Sequence, residues 1–171
     1  MTFTRAELEG FRDAEVPDLL GPICDVEHCS QWLRLLFVGI NPGLWTAATR
    51  THFAHPGNRF WPALRLAGIV DVEVDRSTGF GPGQREALIE RGIGITNLAR
   101  RATARADELS RAELQAGFEQ LRRTVVSHRP RVVAVAGITA WRTASGERTA
   151  VAGRQESGFE GAALWIVPNP S

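Results

Sequence analysis

The chain has 171 residues, 43% of them hydrophobic and 23% charged, which suits one compact domain with an ordinary core and is too short for two. All 20 residues of the Lys+Arg total are arginine and tyrosine is absent. Side-chain amine chemistry is therefore excluded: Schiff-base lyases, pyridoxal enzymes and Gly-Lys-Ser/Thr phosphate loops need a lysine, which the permanently protonated guanidinium does not replace.

In chain order, residues 1–30 carry seven acids against Arg5 and Arg12, and the remaining 141 residues hold 18 arginines against 12 acids. This predicts an acidic N-terminal extension, 1–30, before a mildly basic domain, 31–171, suited to a polyanionic partner. Cys24, His28 and Cys29 fall within six residues, but a closed zinc site needs a fourth ligand, so no metal is assigned and the cysteines read as reduced thiols. No apolar run reaches membrane-helix length and the charged start is unlike a signal peptide, so a cytoplasmic protein, nucleoid-associated in a prokaryote, is expected.

Four short apolar runs read as buried strands: Leu35 to Ile40, Ile93 to Thr96, Val132 to Ala136 and Ala163 to Val167. After the first, Asn58 is placed to cap a helix that tolerates Pro62 in its first turn and ends at Gly68. Asp71, Glu73 and Asp75 alternate with valines and read as a solvated loop. A longer amphipathic helix opens at Ser110 with Glu113 in capping-box spacing and runs through Leu114, Phe118, Leu121 and Val125 to Pro130. Strands alternating with helices predict a three-layer α/β/α fold around a short, mainly parallel sheet of about four strands. Ligands of such sheets bind beyond the carboxyl ends of the strands.

At the first such end stands Asn41-Pro42-Gly43. Pro42 restricts the backbone, Gly43 is read as a turn position that also admits a close ligand, and Asn41 is held at a strand tip, where a carboxamide orients water without deprotonating it. Trp45, Phe53, Phe60 and Trp61 follow, interleaved with Arg50, His52, His55 and Arg59, a mixture of stacking faces and polar groups that suits a flipped base. Phe60 and Trp61 fall on the helix and read as core. Phe53, in a Gly/Pro/His loop, is the stacking candidate.

Gly-Ile-Asn-Pro-Gly, Phe53-Ala54-His55-Pro56-Gly57-Asn58-Arg59-Phe60-Trp61, Gly-Ile-Thr-Asn-Leu and the closing Val-Pro-Asn-Pro-Ser, in this order, resemble the mismatch-specific uracil/thymine DNA glycosylases of the uracil-DNA glycosylase superfamily. The resemblance runs from about Leu35 to Ser171. It implies that Asn41 positions the attacking water, that Phe53 stacks on the flipped base, and that the amides of Ile40 and Phe53 donate to the uracil carbonyls. It also places Gly43, Thr46, Asn169 and Ser171 against the substrate, and Gly137, Thr139 and Arg59 on the DNA backbone. Arg50, Arg100, Arg101 and Arg105 are further phosphate-contact candidates. In the family the closing motif continues into a wedge loop and a terminal helix, so a chain longer than the one read is expected.

The implied reaction is hydrolysis of the glycosidic bond of uracil, extending to thymine or cytosine adducts, opposite guanine in double-stranded DNA. A monomer with no cofactor suffices. With asparagine at position 41 no general base is evident, so slow turnover is expected. Without lysine, the strand should be left intact at the abasic site. Two other readings keep the same fold: a non-catalytic sensor of damaged DNA, and a hydrolase of small nucleotides.

Overall fold

The structure is a computed structural model that describes residues 3–23, 33–71 and 73–171. Cys24, His28 and Cys29 lie outside the described residues. Five strands form one sheet in the order β2-β1-β3-β5-β4. They are β1 (Leu35–Gly39), β2 (Ile93–Asn97), β3 (Val132–Ala136), β4 (Gly153–Arg154) and β5 (Ala163–Val167). All pairings are parallel except β4 with β5. The helices are α1 (Arg5–Glu9), α2 (Leu44–Thr49), α3 (Phe60–Leu66), α4 (Gln84–Glu90), α5 (Arg111–His128) and α6 (Ile138–Ser145). The predicted α/β class stands, with β4 added; two residues carry no periodicity to read.

Strand alternation sorts the core into two layers. Leu36, Val38, Val133, Val135, Leu164 and Ile166 face α5 and α6, where Leu121, Val125 and Trp141 complete one cluster. Phe37, Ala134, Ile93 and Ile95 belong to a second cluster with Phe60, Trp61 and Leu64 of α3 and Leu88 of α4. On β5 only the first face is closed: Leu164 and Ile166 are buried, whereas Trp165 is 42% exposed. The run Ala163 to Val167 is thus a one-sided strand and not the buried one its hydrophobicity predicts, because the residues of α3 that join the core pack on the β1 and β2 side of that face.

The acidic N-terminal segment packs on the body. Leu19 exchanges two backbone hydrogen bonds with Ile95, at 2.8 and 2.7 Å, and so covers the outer edge of β2. Asp13 N donates to Ala102 O and Ala102 N to Ala14 O, both at 2.9 Å. Val16 joins Leu44, Ala47 and Ala102 in a small third core, with Leu8 and Phe11 against it. Arg101 is tied to this segment and to α5: its guanidinium bonds Asp13 at 2.9 Å and Glu113 at 2.5 Å. Those carboxylates hold its charge, so Arg101 is a structural clamp and not the phosphate contact the sequence suggests.

The predicted capping box forms at the start of α5. Ser110 Oγ accepts from Glu113 N at 3.2 Å, and the Glu113 carboxylate accepts from Ser110 N at 2.8 Å. The helix ends where Arg129 turns left-handed, φ 46°, before Pro130. Asp71 and Glu73 lie in an exposed loop, paired with Arg91 and Arg65.

Gly117 marks the closest approach of α5 to the turn after β2, since a Cβ there would lie 1.9 Å from Leu98 O. Helix propensity alone favours Gly117→Ala by about 1 kcal/mol. The contact reverses the sign, and urea unfolding should show a loss of roughly 2 to 3 kcal/mol; a gain would mean that helix and turn are not in contact.

Candidate active site

A cavity of about 300 Å³ opens at the carboxyl ends of β1 and β2. It gathers Ile40, Asn41, Gly43, Thr46, Phe53, Asn169 and Ser171, the seven residues to which the sequence assigns catalysis and base contact. Gly137, Thr139 and Arg59 are not in its lining. Gly137 and Thr139 stand at the β3–α6 turn on the same edge of the sheet, where Gly137 takes φ 135° and a Cβ would meet Ile40 at 3.1 Å. Arg59 is exposed and its amide donates to Pro170 O at 2.9 Å.

Asn41 is positioned by its amide nitrogen. Nδ2 donates to Thr103 Oγ1 at 2.7 Å, Pro42 O at 3.0 Å and Arg101 O at 3.2 Å. Thr103 spends its own proton on Arg105 O at 2.7 Å, so its oxygen meets Asn41 only as an acceptor. A flipped Asn41 amide would set Oδ1 against three acceptors. The orientation is therefore unique, and Oδ1 is the group left for the cavity.

Phe53 forms a wall. Its backbone is left-handed, φ 57°, an uncommon and strained state for an aromatic residue. Its ring stacks on Phe60 with centroids 4.0 Å apart and planes 20° from parallel, and its edge lies over Gly39, where a Cβ would meet it at 3.1 Å. Trp61 Nε1 fastens the turn by donating to His52 O at 2.8 Å. Phe60 and Trp61 are buried, as the helix reading predicts.

The closing motif is attached to this wall. Asn58 Nδ2 donates to Ser171 Oγ at 3.1 Å while its Oδ1 accepts from Phe60 N at 2.9 Å. Asn58 thus holds the first amide of α3 from one residue ahead of the cap, which is Arg59 and not the predicted Asn58, and also seats Ser171. Gly43 departs from its predicted role: φ is −75°, open to any residue, and a Cβ there would meet no atom within 4 Å. The turn does not require glycine; its absent side chain leaves room beside Asn41.

Sequence reasoning missed Thr103, and it named His52 only among the polar groups around Phe53 and Asn97 only within a motif, without a role for either. His52 is 1% exposed, with Nε2 3.1 Å from Pro17 O and Nδ1 3.2 Å from Asn97 Nδ2. A carbonyl only accepts, so Nε2 carries the proton and Nδ1 accepts from Asn97. Burial pushes the imidazole down to about 4, against the opposing pull of the Pro17 carbonyl, with Arg85 adding to the fall. Asn97 is oriented in turn, its Oδ1 lying over Gly39, 2.4 Å from where a Cβ would stand.

No carboxylate lines the cavity among the described residues. The one remaining imidazole, His55, accepts from Gly57 N at Nδ1, 3.1 Å, so its neutral form presents Nε2–H. Among the described residues, the lining offers a fixed carbonyl oxygen, an aromatic face and donors.

The family model of the uracil DNA glycosylase superfamily matches residues 26–171. The chain belongs to the uracil-DNA glycosylase superfamily. Proteins of this superfamily are DNA glycosylases, hydrolases that release uracil from DNA in base excision repair. For this uracil-DNA glycosylase superfamily member, the match covers all of the cavity lining and begins just before β1.

His52 sets a pH dependence of stability. It is neutral when folded, with a pKa about 4, and ordinary, near 6.5, when unfolded. The unfolded chain therefore binds more protons between those values, and the stability present above pH 6.5 is lost as pH falls toward 4. Urea unfolding at pH 7 and pH 4.5 should differ by about 2 to 3 kcal/mol more in the parent protein than in His52→Gln; equal differences would place a solvated His52 in the fold.

Proposed function

We propose that the protein excises uracil from double-stranded DNA, with uracil opposite guanine as its target, and leaves an abasic site in an unbroken strand. The observation that supports this most is the fixed polarity of Asn41, whose Oδ1 is left to hold a water beside an aromatic wall. The uracil base stacks on Phe53 beside Thr46, and Asn169 and Ser171 border the sugar. Gly137, Thr139 and Arg59 meet the strand outside the cavity. The opposing guanine is what the resemblance of the four ordered motifs to the mismatch-specific glycosylases implies.

In the reaction the C1′–N1 bond breaks, with its electron pair leaving on the base. Water held by Asn41 Oδ1 adds to the oxocarbenium-like C1′ and its proton passes to solvent. The uracil anion is stabilised by the amides of Ile40 and Phe53. The Phe53 N–H has no acceptor among the described residues, and one such donor contributes about 3 kcal/mol in a dry pocket. Catalysis thus rests on leaving-group stabilisation and water placement. Lacking a general base costs about 100-fold or more, which makes the enzyme slow. No lysine stands ready to attack C1′, so scission of the strand is not part of the reaction.

Single-turnover release from a labelled duplex with one G:U pair tests the reading. The parent protein should release uracil and leave the strand whole until alkali is added. Asn41→Ala should bind the duplex but release uracil about 100-fold more slowly. Thr103→Val, which removes one of the three acceptors of Asn41 Nδ2 together with the hydroxyl's bond to Arg105 O, should fall between, at about tenfold. Undiminished release by Asn41→Ala would remove it from water placement, and a borohydride-trapped adduct would overturn the intact-strand product.

A further inference from the structure

The cavity does not end at its mouth. It continues into a groove of about 880 Å³ that shares Gly43, His55, Ala104 and Ser171 with it. The far wall of the groove is α1, within the N-terminal segment that precedes the residues matched by the family model. We propose that this groove holds the deoxyribose-phosphate of a nucleotide adjoining the target in the same strand, and that Arg5 binds its phosphate. The proposal rests on the cavity being the uracil pocket.

Three features support this occupant. First, cavity and groove share a rim, so a strand with a base in the cavity that leaves over this rim brings its next nucleotide to the groove by covalent connection. Second, the charges in the groove are of one sign once internal pairs are removed. Glu9 is paired with Arg12 at 2.5 Å, and Arg12 also binds Glu108. Glu7, the other carboxylate of α1, bonds Thr4 N and Oγ1 at 2.7 and 2.8 Å and is absent from the groove lining. Arg5, exposed, has no carboxylate partner among the described residues and is left as the groove's available cation. Third, the floor of the groove is apolar: the largely buried Leu44 and Trp45 contribute their exposed edges to it, and Trp45 is held by its Nε1–H bond to Arg76 O at 2.6 Å and by Phe3 and His55 edge-on at 5.0 and 5.9 Å. His55 Nε2–H, at the junction of cavity and groove, is a second donor to the same backbone. An acidic segment thereby contributes a local basic contact, because its carboxylates are used on its own cap and on neighbouring arginines.

The test is duplex binding followed by fluorescence anisotropy, with uncleavable 2′-fluoro-2′-deoxyuridine opposite guanine. Arg5→Ala should raise Kd about fivefold and lower the slope of log K against log salt by about 0.9, the signature of one lost phosphate contact. Arg5→Glu should raise Kd more than about tenfold, since repulsion is added. Arg154→Ala, on exposed β4 at the opposite sheet edge, serves as the control expected to bind as the parent does. Replacing the phosphates flanking the target one at a time by methylphosphonate should identify one position whose neutralisation costs the parent as much as Arg5→Ala does, with no further loss when the two are combined. Parent-like Kd and salt slope in both Arg5 variants, or additive losses at every phosphate, would overturn the proposal. If the parent releases no uracil but binding still depends on Arg5, the reaction reading fails and the groove assignment stands; if uracil is released while Arg5 variants bind normally, only the groove assignment fails.

Discussion

One hydrogen bond of fixed direction governs the site: the donation from Asn41 Nδ2 to Thr103 Oγ1. Because Thr103 gives its proton to Arg105 O, the direction cannot reverse, and Asn41 Oδ1 is committed to the cavity. An amide free to rotate would present a donor as often as an acceptor, and water placement would lose its geometry. The loop bearing Thr103 must therefore be held against the end of β1. Thr103 N donates to Pro42 O at 3.2 Å, Ala102 is paired with the N-terminal segment, and Arg101 is clamped between Asp13 and Glu113. Much of the surface electrostatics around the cavity thus serves to keep one carboxamide in place.

A second amide is fixed in the same manner from the other side. Pro17 O defines the tautomer of His52, and His52 defines which end of Asn97 faces it. The segment that covers the edge of β2 is consequently also the outer support of the site, and its backbone matters more than its charge. Burial keeps His52 neutral, with a pKa about 4, and its Nδ1 already accepts from Asn97. With no carboxylate in the cavity lining among the described residues, the geometry suits leaving-group stabilisation.

Legibility in the sequence followed the range of the interaction. The short apolar runs, the Ser110–Glu113 box and the placement of Asn41 at a strand tip rest on neighbouring residues, and the structure has them within a residue of where the sequence puts them. Thr103 is 62 residues from Asn41 and carries no local mark. The acidic segment shows its charges in the sequence, whereas the Leu19–Ile95 pairing and the Pro17–His52 bond depend on backbone groups that every residue possesses. Arg101 was misread for a related reason: a guanidinium looks available until the carboxylates that hold it, from two distant segments, are placed beside it. Gly43 was misread because a glycine after proline suggests a special turn, while its φ is ordinary and the missing side chain is what matters.

The central claim is that uracil leaves without a proton-accepting side chain. The pH dependence of the single-turnover release rate at saturating protein addresses it directly. From pH 5.5 to 8.5 the account predicts a flat profile, because His52 stays neutral through this range with a pKa about 4 and no carboxylate lines the cavity among the described residues. A rate that climbs tenfold per pH unit to a plateau, with an apparent pKa between about 5 and 8, would reveal an ionising general base and contradict it.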